Sequence, residues 1–247
     1  MPPLFRIATV AALCVLLIAT AGCARKRSIS NADFRYGGYW GGPDAYRGEL
    51  SEFSLLGIDP TRGITDEQIA SAYTNGKPVR MKRGSAILLM QSGAQFPDDA
   101  MQRLMGEHFK VGPFSGAPLG KSEEAQPPNL SNALRLAAAQ GGYDYILCYW
   151  GALETKQTDL AGKTVSWVPV VGRLVPDESQ EMRVQLKLIV LDARTGQWTM
   201  LVPDPAVGSA VSARLGRSNA DQGQVETLKE EAYKKLVEEL VKNHVEN

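Results

Sequence analysis

Two stretches decide the fold: LRLAAAQGGYDYILCYWG, residues 134–151, and LKLIVLDARTGQWTM, residues 186–200. The first opens inside a helix. Leu130, Ala133, Leu134, Ala137 and Ala138 recur at helical spacing, and Gly141-Gly142 stops the run. Tyr143 to Leu153 then reads as a strand, aromatic and branched throughout. The second stretch completes a longer strand. Met182, Val184, Leu186, Leu188 and Val190 alternate with Arg183, Gln185 and Lys187, and the run becomes wholly apolar from Leu188 to Leu191. That pattern describes a strand exposed on one face at first and buried on both faces later. Asp192-Ala193-Arg194-Thr195-Gly196 is a turn with Gly where a positive φ is wanted, and Trp198 to Val202 returns as the next strand.

Outward from this centre the elements alternate. Ala86-Ile87-Leu88-Leu89-Met90-Gln91 is a short apolar run between Gly84 and Gly93, the mark of a strand covered on both faces. Pro97-Asp98-Asp99 suits a first helical turn, with Ala100, Leu104 and Met105 as its apolar stripe and His108 at its close. Phe109 to Phe114 forms a second strand, and residues 115–129 a polar Pro/Gly loop. Upstream, Thr65 caps a helix that carries Ile64, Ile69 and Ala72 on one side and ends at Asn75-Gly76. Downstream, residues 155–172 hold a hairpin with its tip at Ala161-Gly162-Lys163, and Pro169 demotes its second strand to an edge or a bulge. Residues 203–223 read as loop. Val225, Leu228, Ala232, Leu236 and Leu240 stripe a last helix to about Val241. The predicted fold is α/β: a single mixed β-sheet packed with helices, a C-terminal amphipathic helix and an N-terminal flexible tether.

The order of helix, Gly-Gly, Tyr-Asp-Tyr-Ile-Leu strand, hairpin, Leu-Asp-Ala-Arg-Thr-Gly turn, strand and terminal helix resembles a known domain. It is shared by the penicillin-binding-protein activator LpoB, the curli secretion lipoprotein CsgG and the N-terminal domain of TolB. In that group an Ala-rich helix leads into an "ADYIL" strand, and an "lvDv-TG" turn joins two later strands. The resemblance covers about residues 86–243, and an insertion around Leu160 to Gln180 falls outside its pattern. It implies an envelope lipoprotein that acts through contacts rather than chemistry. A curli-type, oligomeric secretion accessory is the alternative it implies. No stretch has the sustained alternation of a lipid-facing barrel strand.

The start of the chain points the same way. Residues Ile7 to Ala19 are uncharged and mostly aliphatic. They suit a secretory leader and fall short of the roughly 20 residues a membrane-spanning helix needs. Thr20-Ala21-Gly22-Cys23 resembles the bacterial lipobox, with Thr where Leu is usual. The resemblance implies cleavage after Gly22 and a diacylglycerol on Cys23, the lipidation site. Ala19-Thr20-Ala21 is also an A-x-A site for ordinary signal peptidase. Arg25, Lys26 and Arg27 would lie beside the headgroups. Ala24, rather than Asp, follows the cysteine, which in enteric-type bacteria directs export to the outer membrane. The expected organisation is a leader at 1–22, a Gly- and aromatic-rich tether at 23–50 and a periplasmic α/β domain at 51–247.

Composition and motifs narrow the chemistry. The chain carries 27 basic and 27 acidic side chains. Loss of Arg6 with the leader leaves no electrostatic footprint for nucleic acid. Once Cys14 is removed and Cys23 acylated, Cys148 is the one thiol left, and its apolar run marks it as a buried small hydrophobe. Ser115 to Ser122, SGAPLGKS, has three residues between Gly116 and Gly120 where a phosphate loop needs four. His108 and His244 lie on separate helices, too few for a zinc site. There is no G-x-S-x-G or S-x-x-K nucleophile motif. Adjacent Asp98 and Asp99 point about 100° apart on a helix, so they serve its positive end rather than forming a catalytic pair. Glu123 and Glu124 are solvated loop residues. The expectation is a non-enzymatic outer-membrane lipoprotein without metal or cofactor. Its periplasmic domain would bind an envelope protein partner through the aromatic tether or the insertion with Trp167. An unusual hydrolase is the remaining alternative.

Overall fold

The computed structural model describes residues 27–31, 48–118, 129–158, 165–169, 180–210 and 217–246. In chain order the strands are β1 (Arg27–Ser28), β2 (Met81–Lys82), β3 (Ala86–Gln91), β4 (Lys110–Phe114), β5 (Tyr145–Thr158), β6 (Val165–Pro169), β7 (Gln180–Asp192), β8 (Trp198–Leu201), β9 (Ala206–Ala210) and β10 (Val245–Glu246). The α-helices are α1 (Glu52–Leu56), α2 (Asp66–Asn75), α3 (Asp99–Gly106), α4 (Leu130–Gly141) and α5 (Arg217–His244). The main sheet runs β4-β3-β5-β7-β8. β1 and β6 add to one edge of β5, and β9 adds to β7. β3 is parallel to β4 and β5, and the remaining pairings of this sheet are antiparallel. The α/β reading with a mixed sheet therefore holds, and β2 and β10 pair in parallel as a second, two-stranded sheet.

The centre is the β5–β7 ladder, paired from Tyr145↔Asp192 to Thr155↔Met182. Side chains alternate across it, and each face has its own core. Leu147, Tyr149 and Leu153 of β5 join Val184, Leu186, Leu188 and Val190 of β7, under Met101 and Met105 of α3 and Leu228, Tyr233, Leu236 and Leu240 of α5. Ile146, Cys148 and Trp150 join Ile189 and Leu191 on the other face, under Leu55 of α1 and Leu130, Leu134 and Ala138 of α4. The first cover includes the 28-residue α5 and the second only short helices. That asymmetry explains the composition of β7. Met182, Val184 and Leu186 are buried, while Arg183, Gln185 and Lys187 between them stay half-exposed on the poorly covered face. Arg183 there pairs with Glu154 at 2.6 Å, and Lys187 lies 5.2 Å over the Trp150 ring and pairs with Glu52 of α1.

The turn after β7 forms as its sequence demands. Asp192 Oδ1 accepts the amides of Arg194 (2.9 Å) and Thr195 (2.8 Å), and Gly196 takes φ 74°. The hairpin forms with Thr158 opposite Val165 and ends at Pro169, on the outer edge of β5. Its tip, Ala161-Gly162-Lys163, lies outside the described residues.

Two expectations are corrected. Residues 203–223 are not all loop: Ala206–Ala210 is a strand paired to β7, and α5 begins at Arg217. The small residues of β9 carry little strand signal of their own. They extend because β7 outruns β8 and leaves edge amides to satisfy. The α2 helix forms as its sequence indicates, and it has no buried residue. The segment 23–50 is not all tether, since some of its described residues are packed. Ser28 and Ile29 are buried, Leu50 is buried, and Ser51 caps α1.

The packed start is well built. Arg27 and Ser28 pair with Leu153 and Ala152. Gly151 makes room for Ile29, because a Cβ there would stand 2.6 Å from Ile29 Cδ1. Ile29→Ala should therefore lower stability by about 2–5 kcal/mol, the range for an aliphatic side chain removed from a core. A urea titration of the purified domain measures it, and a residue in a free tether would show no change.

Candidate functional site

Two arrangements of polar side chains stand out, one interior and one open. The interior one begins at the end of β3. Gln91 Oε1 accepts the Tyr149 hydroxyl (2.5 Å) and the Asp98 amide (2.8 Å), and Gln91 Nε2 donates to Ser30 Oγ (3.0 Å). Ser30 Oγ donates in turn to the Ser92 carbonyl at 2.6 Å. The Asp98 carboxylate accepts the Tyr233 hydroxyl and pairs with Lys229 Nζ at 2.5 Å. The Tyr149 and Tyr233 rings meet edge to face at 5.7 Å. Every one of these groups is satisfied by another, so the cluster joins the turn after β1, β3, β5, the residue before α3 and α5 rather than presenting a reactive group.

Asp98 is the position where local sequence misleads. It precedes α3, but its carboxylate makes no cap to that helix. It turns instead to Tyr233 and Lys229 of α5. Burial raises the pKa of Tyr149 well above its ordinary value, and the Asp98 charge adds to the shift. Burial also raises Tyr233, with the charges of Tyr149 and Asp98 behind it. These phenols stay neutral in the fold after they would ionise in an unfolded chain. Their contribution is complete below the unfolded pKa near 10 and is lost as pH climbs towards the folded values. Stability should therefore fall steeply above about pH 10, and Tyr149→Phe should flatten that fall by up to about 1.4 kcal/mol per pH unit. Urea midpoints at a series of alkaline pH values read this directly.

Other residues singled out by sequence are structural. Cys148 is fully buried, and burial pushes its thiol well above the ordinary value. Gly116 serves a close approach: its amide donates to Ala94 and its carbonyl accepts from Gly93, both at 2.9 Å. A Cβ at Gly116 would lie 2.0 Å from the Gln91 carbonyl oxygen. Its amide is thus already committed within the fold. His108 Nδ1 meets Arg83 at 3.3 Å, and His244 Nδ1 lies 3.4 Å from the Val79 carbonyl. Among the described residues no three His, Cys, Asp or Glu side chains converge on a metal-sized site. Cys23 and the aromatic residues 34–46 lie outside the described residues. So does the insertion except for Val165–Pro169, where Trp167 stands opposite Lys156.

The open arrangement is a groove of about 600 Å³ between α1, α2 and α4. Leu56 and Gly57 close one side, Ser131 and Arg135 form the floor, and Ile64 and Ile69 form the far wall. Gly57 ends α1 with φ 71° and brings it close to α4: a Cβ there would lie 3.1 Å from Ser131 Cβ. Arg135 is held by the carbonyls of Ala193 (3.0 Å) and Arg194 (2.7 Å). Asp59 pairs with Arg62 at 3.2 Å. Its pKa is lowered by the Thr61 hydroxyl first, with the Thr61 amide and Arg62 adding to it. The remaining lining mixes the amides Gln68, Asn129 and Asn132 with apolar Ile58 and Ala72. Such a trough suits binding of an extended or helical segment with an apolar side chain.

The wall α2 is unusual. It has a complete capping box between Thr65 and Gln68. Ile64 and Ile69 are about half-exposed, and Tyr73 is 86% exposed. Gln197 Nε2 ties its end to the body by donating to the Asn75 carbonyl at 2.9 Å. A ten-residue helix without buried side chains is marginal in water. Ile64, Ile69 and Tyr73 were the available sequence signal for this surface, but periodicity alone assigns such residues to a core.

No helix among the described residues is long and apolar enough to cross a membrane. Residues 51–243 match a family described as YafT bacterial lipoprotein. Among solved structures the chain is similar to a minor lipoprotein from Acinetobacter baumannii, at 13% identity and a TM-score of 0.25, over 66% of this chain and 92% of that one. No curated protein matches it significantly.

Proposed function

The chain belongs to the YafT family of bacterial lipoproteins, and we propose that it is acylated at Cys23, after cleavage behind Gly22. The mature protein then sits on the periplasmic face of the outer membrane. It works without catalysis, by holding an envelope protein partner in the groove beside α2. The family supports the anchor. Ala24 supports the outer-membrane address. The sequence likeness to the LpoB, CsgG and TolB domain supports a role through contacts.

The single observation that carries the docking role is α2 itself. It stands over an open groove with Ile64, Ile69 and Tyr73 in water. A partner that placed an apolar side chain between Leu56 and Ile69 would bury that surface and stabilise the helix, at about 25 cal/mol for each Å² removed from water.

Intact mass and membrane fractionation of the wild type beside Cys23→Ser test the anchor. The wild type should carry the added diacylglycerol mass and sediment with outer membranes. Cys23→Ser should lack that mass and leave the membrane fraction. The groove is tested by a photo-crosslinker placed at Tyr73. Its adduct with an envelope protein should disappear in Ile69→Glu while folding stability is unchanged.

A further inference from the structure

We propose that this lipoprotein has no stalk: a leash of four residues holds the domain against the bilayer, with the Thr158 end of the β5–β7 ribbon at the lipid surface and the groove facing away. The proposal rests on acylation of Cys23. What it adds is where the domain stands and which way it faces.

The distance follows from the first strand. A tether from residue 23 to residue 50 could carry a domain about 90 Å from its lipid when extended. Here the chain is already in the sheet at Arg27, opposite Leu153. Only four residue steps separate that pairing from Cys23, a reach of about 14 Å at most. The hold on the strand is more than two ladder pairs. Ile29 is 1% exposed and packed against Gly151, and Ser30 is hydrogen-bonded to Gln91 and Ser92. Through Gln91 the entry point is tied to Tyr149 and Asp98, in the middle of the molecule.

The direction follows from the register. β1 is antiparallel to β5, so the residues before Arg27 leave towards the Thr158 end of that strand. Pro169 occupies the next position, opposite Glu154, so Arg27 stands directly beside the β5–β6 arm. That arm carries Val165, Trp167 and Val168 in its outer strand. Val207 of β9, 49% exposed, lies at the same level, two strands across through Arg183. Valine and tryptophan suit the headgroup boundary, and Arg25, Lys26 and Arg27 suit anionic lipid. The groove is at the opposite end of the ribbon, beside Gly196 and the turn after β7. Tyr145 there is eight residues from Leu153, about 26 Å further along β5.

The test uses the acylated full-length protein in vesicles of phosphatidylethanolamine and phosphatidylglycerol that contain a headgroup-spin-labelled lipid. A fluorophore is attached at Val207→Cys or at Tyr73→Cys, the native Cys148 being buried. The label at 207 should lose most of its emission to the quencher, and the label at 73 should keep its own. About twenty Gly and Ser residues inserted after Ala24 add a mean span of about 25 Å and should abolish the loss at 207. Equal quenching at both sites, stronger quenching at 73, or no effect of the insertion would overturn the leash. Protein that floats with the vesicles and carries the diacylglycerol mass, yet shows any of these, refutes the geometry alone. Protein without that mass that fails to float refutes the anchor and the leash together.

Discussion

The antiparallel ladder between β5 and β7 is the constraint on which the rest of the molecule depends. Its residues alternate between two cores, so every other element is placed by the face it covers. α3 and α5 cover one face, and α1 and α4 cover part of the other. The two strands also outrun their neighbours. Their far ends leave edge amides and carbonyls free, and backbone groups near a core do not stay unpaired. β1 and β6 satisfy one edge and β9 satisfies the other. The capture of Arg27 and Ser28 follows from the same surplus length.

The interior cluster around Asp98 locks these layers to one another. A carboxylate near the first turn of α3 could have remained in water and favoured the helix's positive end. It is instead taken by Tyr233 and Lys229 from the far end of the sequence. Tyr149 and Gln91 carry the connection through the sheet to Ser30. The N-terminal segment, the central strands and the last helix thus share one hydrogen-bonded unit. The groove lies outside that unit. Its wall, α2, is fixed by a capping box and a side-chain tie from Gln197.

Local chemistry explains what could be read in advance. Thr65 and Gln68 cap α2 because an N-cap and its reciprocal partner lie within one turn. Asp192 and Gly196 make their turn from neighbouring atoms. The burial change along β7 shows as a change from alternating to continuous apolar residues. The amphipathic stripe of α5 needs only helical spacing. The placement of Ile69 in water was not legible, because an apolar residue at helical spacing looks the same whether the face meets a core or a partner. β9 was not legible because Ala, Gly and Ser extend there only to serve an edge supplied by β7.

By itself, then, the sequence determined the elements whose causes lie within a few residues: caps, turns and alternation. Tertiary structure alone decided that Asp98 faces Tyr233 and Lys229, that Gly116 sits against Gln91, and that Ile29 enters the core over Gly151. Each of those joins groups at least 25 residues apart in the chain, as with Gln91 and Gly116. Their meeting depends on register and helix placement, which no local preference encodes.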